Sequence, residues 1–352
     1  MNAPFAPAAT VVSLADLRDP GEVARIEAFV AAHGGTVFHR PAWLHGVEAG
    51  TRQRALGLVA ERHGALAGWL PLSEIHSPIF GRALVSSGFA VGGGILAEDG
   101  RTVETLASAA EELAQRRSCA SVELRGGALP QGWAVRDDTH LGFVADLATD
   151  DEAQLLTVPR KQRAEVRKSL EGDLEVRVGR DESDRAMHYT VYAESVRNLG
   201  TPVFPRALFD AALDALESDI LTVTHRGAPV SSVLSFYHDG AVMPYWGGGT
   251  FAARGLRANE RMYFELMLHA RRRGCARFDF GRSKVGSGPA AYKKNWGFAP
   301  RPLAYATWSA PGAARRDVDP TSDAYSAKIA LWKRLPLALA NRLGPPIARG
   351  LG

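Results

Sequence analysis

The sequence predicts an α+β fold in which one unit occurs twice. Residues 114–124, AQRRSCASVEL, recur 156 residues later as residues 270–280, ARRRGCARFDF, with five of eleven positions identical. The only two cysteines, Cys119 and Cys275, fall at matching places in the two copies. Each copy reads as the basic end of a helix, a break at Ser118 or Gly274, and a strand carrying an acidic residue, Glu123 or Asp279. Before each copy comes the same succession of strand-like runs, a glycine triplet and a helix.

In the first half, residues 54–61 and 65–74 alternate as strands around a His63-Gly64 turn. Gly92, Gly93 and Gly94 follow, then a helix over 102–117. In the second half, residues 219–225, 229–237 and 241–245 make a meander with turns at Arg226-Gly227 and Asp239-Gly240. Gly247, Gly248 and Gly249 then form a loop before a helix over 259–273. Between the halves, residues 159–172, PRKQRAEVRKSLEG, predict a helix bearing Arg160, Lys161, Arg163, Arg167 and Lys168. Amphipathic helices over 184–198 and 205–217 follow, separated by Gly200-Thr201-Pro202. After Ala310 a polar linker, PGAARRDVDPTSD, leads to a basic and apolar helix over 324–343 that Pro336 breaks or kinks. The expected division is 1–157, 158–310 and a tail of 311–352.

Charge and composition exclude several classes. Lys and Arg number 42 against 38 Asp and Glu, a net +4, so any electrostatic function comes from local clusters rather than a uniform polyanion-binding surface. No DNA partner is expected. The first residues lack a basic region followed by an apolar one, and no run reaches the roughly 20 apolar residues of a membrane-spanning helix, so a cytoplasmic protein is expected. Two cysteines are too few for a disulfide framework or a paired-cysteine zinc site, and read as structural thiols. Residues 281–288, GRSKVGSG, lack the Lys-Ser/Thr of a P-loop, and strand-linked GxGxxG, HExxH and GxSxG are missing. Neither a metal nor a resident cofactor is expected.

The densest chemistry is residues 277–298, RFDFGRSKVGSGPAAYKKNWGF. Strand alternation puts Phe278 and Phe280 on one face and Arg277, Asp279 and Gly281 on the other. There Asp279 either accepts a proton or orients a cation, or else simply pairs with Arg277. Arg282 and Lys284 follow, with small residues whose amides approach a ligand closely. Lys293 and Lys294 point some 100 degrees apart on a helix, so at most one faces a site. Trp296 and Phe298 read as packing. The basic helix at Arg160 is either a solvated face or a grip for polyanions.

The strings FDFGRSK and KKNWGF, with FHRPAW, LPL at Leu70–Leu72, PRKQRAEVRK and NLGTPVF, make the chain resemble the FemAB-like family, and within it the branch associated with the exosortase and PEP-CTERM sorting system. The tail, WKRLPLALANRLGPPIARGLG, is similar to that branch too. The resemblance implies two tandem acetyltransferase-like (GNAT) domains with mixed, mainly antiparallel sheets. It also implies transfer of an aminoacyl or acyl group, from aminoacyl-tRNA or acyl-CoA, to an amine of a cell-envelope precursor related to peptidoglycan or exopolysaccharide. The chain departs from the longer Fem enzymes in lacking a long helical arm, and Arg254-Gly255-Leu256-Arg257 lacks the full glycine pattern of acyl-CoA binding, so the donor stays open. A CoA-dependent N-acyltransferase acting on an amino sugar, and a non-catalytic precursor-binding protein, are the alternatives.

Acyl transfer to an amine requires a neutral nucleophile, alignment, and donors where the oxyanion develops. On this basis Asp279, Lys284 and Lys293 are the expected catalytic residues. Arg160, Lys161, Arg163, Arg167, Arg282, Tyr292 and Lys294 are expected to bind substrate, and Gly247, Gly248 and Gly249 to offer backbone amides to the donor. The tail either lies peripherally on the cytoplasmic face of an anionic membrane or packs on the protein.

Overall fold

The computed structural model describes residues 9–313 and 323–352. In chain order the elements are β1 (Val11–Leu14), α1 (Pro20–Ala32), α2 (Pro41–Thr51), β2 (Arg54–Arg62), β3 (Ala65–Ser77), β4 (Gly81–Ser86), β5 (Leu96–Ala97), α3 (Gly100–Arg116), β6 (Ser121–Arg125), β7 (Ala134–Asp146), α4 (Asp151–Thr157), α5 (Arg160–Glu171) and β8 (Leu174–Gly179). They continue with α6 (Glu182–Leu199), α7 (Arg206–Ala215), β9 (Ser218–His225), β10 (Ala228–His238), β11 (Ala241–Gly249), α8 (Ala253–Leu256), α9 (Ala258–Arg272), β12 (Arg277–Lys284), α10 (Gly288–Asn295), β13 (Pro300–Ser309), α11 (Asp323–Arg334) and α12 (Leu337–Ala348). The described residues divide into a first unit within Met1–Arg136, Ala304–Val318 and Gly350–Gly352, and a second within Asp137–Leu303 and Asp319–Arg349.

In the first unit the strand order is β1-β2-β3-β4-β6-β13, with β5 against β3. The pairs are antiparallel except β4–β6, which α3 connects in parallel. One face buries Leu70, Leu72, Leu84, Val122 and Leu124 against Leu106, Ala110 and Leu113 of α3. Ile26, Phe29, Leu44 and Trp69 form a smaller cluster with α1 and α2. The FHRPAW string ties this region together: Trp43 Nε1 donates to Gly88 O at 3.0 Å and Trp69 Nε1 to His39 O at 2.7 Å.

The second unit repeats the plan as β8-β9-β10-β11-β12-β7, again antiparallel except for the parallel pair β11–β12 that α9 connects. Val223, Val233, Val242, Phe278 and Phe280 pack against Met262 and Leu266 of α9 and Val166 of α5. Elsewhere in the unit, Trp246 meets both Phe236 and Phe209 edge-on, and Phe209 in turn meets Tyr192 of α6. Both units therefore have the doubled α+β architecture that the repeat predicts. The sixth strand of each comes from the other half of the sequence: β7 follows β6 but pairs with β12, and β13 follows β12 but pairs with β6.

The repeated segment is the same helix stop twice. Cys119 N donates to Ala114 O at 2.8 Å and Cys275 N to Ala270 O at 3.0 Å, while Ser118 and Gly274 donate to Gln115 O and Arg271 O. Ser118 and Gly274 both hold left-handed backbone, at φ 53° and 83°. This six-to-one plus five-to-two pattern satisfies the last carbonyls of each helix and aims the chain into the sheet. The cysteines sit just beyond, unbonded to each other, and burial raises the Cys119 thiol to about 11, which suits a packing role.

One expectation is corrected. Gly247, Gly248 and Gly249 are not a loop but the end of β11, opposite Val233, Ser232 and Ser231 of β10. Their lack of side chains is a matter of space. A Cβ on Gly248 would lie 2.3 Å from Ser195 Oγ of α6, and one on Gly249 2.7 Å from both Ala253 Cβ and Asn259 Oδ1. In the tail, the break at Pro336 falls as expected, separating α11 from α12. The larger part of the expected linker, residues 314–322, lies outside the described residues.

Candidate active site

β12 carries a bulge at the chemistry-bearing run. Asp279 pairs with Val144 of β7, but Arg282, three residues on, pairs with Gly142, so one extra residue is inserted. Gly281 takes the left-handed conformation, φ 68°, and its N–H donates to Asp279 Oδ1 at 2.8 Å. The carboxylate thus holds the bulge that re-aims the strand's polar face. Phe278 and Phe280 point into the core, 5.2 Å apart by ring centroid, as alternation predicts. Arg277 is not the partner of Asp279; it bonds Asp239 Oδ2 at 2.8 Å.

Lys293, one turn from the end of α10, reaches back to this bulge. Its Nζ donates to Arg282 O at 2.9 Å and lies over the rings of Phe280 and Phe143, at 5.3 and 5.5 Å. Burial, opposed by the Asp279 charge, lowers the Lys293 ammonium to about 8. Burial likewise raises the Asp279 carboxyl, against the Gly281 N–H and the Lys293 and Arg277 charges. A carboxyl shifted up and an amine shifted down, each bonded to the backbone of one bulge, are groups tuned toward neutral pH for proton transfer.

The remaining candidates distribute as follows. Arg282 joins the cluster through its carbonyl, whereas Lys284 ends β12, where its own carbonyl accepts from Ser287 Oγ at 2.7 Å at the start of α10. Lys294 is exposed, so only one of the adjacent lysines turns inward. Tyr292 packs against Tyr263 and Trp296, with ring centroids 6.0 and 6.3 Å away, and burial raises its hydroxyl. On α5, Gln162, Val166 and Ser169 form the buried face, while Arg160, Lys161 and Arg167 are exposed and Arg163 is partly covered. That helix is tied to α9: Glu165 pairs with Arg257, and Arg261 donates to Ser169 O at 3.3 Å.

The bulge adjoins an opening in the sheet. β11 and β12 pair only at Ala241–Arg277 and Val242–Phe278, yet β11 runs on to Gly249 and β12 to Lys284. The two strands part, leaving the later part of β11 unpaired on that side. α9 starts at the end of β11, after the short α8, from Arg257 at φ 55° with no side chain capping its first turn. Such an end presents backbone N–H groups and the positive pole of the helix.

Two residues here escaped the sequence reading. Tyr263 places its ring 4.7 Å from that of Phe280, and its hydroxyl 3.4 Å from where a Gly247 Cβ would be. Asn259, one turn earlier, has a buried Oδ1 without a hydrogen-bond partner. Their i, i+4 spacing on the helix after the glycine triplet is the signal that would have found them.

In the first unit the matching positions are occupied differently. Glu123 stands at the place of Asp279, and Arg125 at that of Gly281, so the β6–β13 ladder runs without a bulge. Arg125 pairs with Glu123 at 3.6 Å and donates to Ala90 O at 2.9 Å and Gly352 O at 3.0 Å, filling the space with the protein's own groups.

Comparison with known proteins agrees with this fold. Residues 158–294 match the family model described as an acetyltransferase (GNAT) domain, a span that includes Asp279 and Lys293. Among solved structures, FemX is similar over 81% of this chain and 95% of its own, with TM-score 0.62 at 13% identity. A tandem GNAT protein from the clavulanic acid biosynthesis pathway is similar over 88% and 100%, with TM-score 0.58 at 14% identity. L-PGS from Bacillus licheniformis is similar over 90% and 96%, with TM-score 0.51 at 15% identity. A search of curated proteins gave no match. The chain is therefore an α+β protein of tandem GNAT fold, with a match to the GNAT acetyltransferase domain model within its second unit.

Proposed function

We propose that the second unit transfers an aminoacyl or acyl group to an amine of a cell-envelope precursor, as the FemAB-like resemblance implies, with Asp279 and Lys293 as the catalytic pair. The observation that carries this is their meeting at the Gly281 bulge beside the parting of β11 and β12. The acceptor amine loses its proton to Asp279, directly or through water, as nitrogen attacks the donor carbonyl. The Lys293 ammonium, protonated below about 8, sets positive charge near the oxyanion or a precursor phosphate. When the tetrahedral intermediate collapses, the bond to the donor breaks, the amide forms, and the donor leaves as free thiol or as the tRNA hydroxyl, taking up the proton that Asp279 accepted. Arg282 and Lys284 supply cationic groups for an anionic acceptor.

The donor end is the uncapped start of α9 with the exposed basic residues of α5 beside it, an arrangement that suits phosphate. Both donors carry phosphate, so this supports either one; the GNAT family model favours acyl-CoA as a second reading to be tested alongside aminoacyl-tRNA. The experiment is filter binding of labelled aminoacylated tRNA to the full chain, competed by deacylated tRNA and by acetyl-CoA at two salt concentrations. Charged tRNA that resists its deacylated form identifies aminoacyl transfer. Competition by acetyl-CoA, with both tRNAs washing off alike in salt, identifies a CoA thioester donor. Absence of binding by either donor contradicts a transferase and leaves the precursor-binding alternative.

A further inference from the structure

The tail helices pack on the protein with one face and leave another that nothing in the transferase site uses. On α12, Ala340, Gly344 and Ala348 recur every fourth residue and are buried; a Cβ on Gly344 would lie 2.9 Å from Val203 N. α11 and α12 both rest on α6, and Arg197 of α6 donates to Lys333 O at 3.2 Å. The opposite face of α12 carries Leu339 and Leu343, 42% and 43% exposed, interleaved with the exposed Arg342 and Arg349. On α11, Leu331 is 65% exposed, and Lys333 and Arg334 are exposed as well. From Ala324 to Gly352 the sequence has Lys328, Lys333, Arg334, Arg342 and Arg349 and no Asp or Glu.

We infer that this face of α11 and α12 docks the protein onto an anionic lipid surface, lying in its plane. Several observations select that occupant. A face of like positive charges repels a second copy of itself. A polynucleotide would meet the arginines but gain nothing from the leucines between them, whereas a lipid headgroup layer takes both at once: acidic headgroups for Arg342, Arg349 and Lys333, acyl chains for Leu331, Leu339 and Leu343. Among the described residues no helix is long and apolar enough to cross a membrane, so docking is in the plane of the surface. The small-residue face stays on α6, so the catalytic unit is held beside the lipid without rearranging α12.

The test is sedimentation of the full chain with vesicles of phosphatidylcholine alone or mixed with phosphatidylglycerol, at low and high salt. Wild type is expected to pellet with the anionic vesicles only, less so at high salt. Leu339→Ser with Leu343→Ser, and separately Arg342→Glu with Arg349→Glu, are expected to reduce partitioning by about tenfold or more. Both pairs are exposed, and an unchanged thermal melt confirms folding. Wild type remaining in the supernatant overturns the proposal. So does pelleting that the leucine replacements leave intact, or binding of transfer RNA with the same dependence on the leucines.

Discussion

Burial penalises the charged forms of both Asp279 and Lys293, and the signs can be worked out. Lys293 titrates at about 8 instead of its usual value near 10.5, so the fold is penalised for its charge below about 8 and relieved as pH rises beyond that. Asp279, raised from its usual range, costs stability once it ionises. Replacing both, as Asp279→Asn with Lys293→Met, keeps the acceptor for the Gly281 N–H and the alkyl stem between Phe143 and Phe280. The double variant is expected to melt at or above wild type while inactive; a clear fall in melting temperature argues instead for a structural ion pair. At the glycine triplet, Gly248→Ala is expected to lose ~1–3 kcal/mol by overpacking against Ser195. Ser195→Gly should restore part of it in chemical denaturation. Were the loss confined to donor affinity, with stability intact, Gly248 would instead be serving the donor.

At the scale of elements, much was legible because turn chemistry and period leave local marks. The hairpins at His63-Gly64, Arg226-Gly227 and Asp239-Gly240 form with positive φ at both central residues, as those residue pairs predict. Lys293 and Lys294 diverge as helical spacing requires. The bulge was not legible: nothing local in FDFGRSK distinguishes an inserted residue from a regular ladder, which depends on the pairing partner Val144–Gly142 far away in sequence. The glycine triplet misled for a related reason, because tertiary approach by α6 and α9, rather than turn geometry, accounts for it. Gly281→Ala puts a side chain at φ 68° and is expected to cost ~1–2 kcal/mol. If the bulge aims Asp279, transfer should fall further than stability does; equal activity at a temperature where the variant is folded would show that the bulge has no part in the site.

For the whole molecule, the repeat predicts two similar units but not the exchange of their sixth strands. β7 and β13 lie where a simple tandem reading assigns each to the preceding half, yet each pairs with the other half's parallel strand. A fragment ending at Thr157 keeps every other strand of the first unit but leaves β6 without β13, an open edge beside a buried core. It is expected to aggregate or to lack a cooperative melt, whereas co-expression with residues 158–352 should rescue it; a soluble fragment melting cooperatively alone would contradict the exchange. Because Arg125 and Glu123 fill the first unit's counterpart of the bulge, calorimetric titration should give one donor site per chain.

Transfer turnover in Asp279→Asn and Lys293→Arg, measured against pH with whichever donor binds, tests the catalytic pair most directly. Wild type should show a rate that falls on the basic side near pH 8, as Lys293 loses its proton. Asp279→Asn should lose about 10²-fold or more with donor affinity kept. Lys293→Arg, whose charge does not titrate in this range, should retain part of the rate without the basic limb. Full turnover in a folded Asp279→Asn, or a basic limb that persists unchanged in Lys293→Arg, would contradict the assignment of this pair.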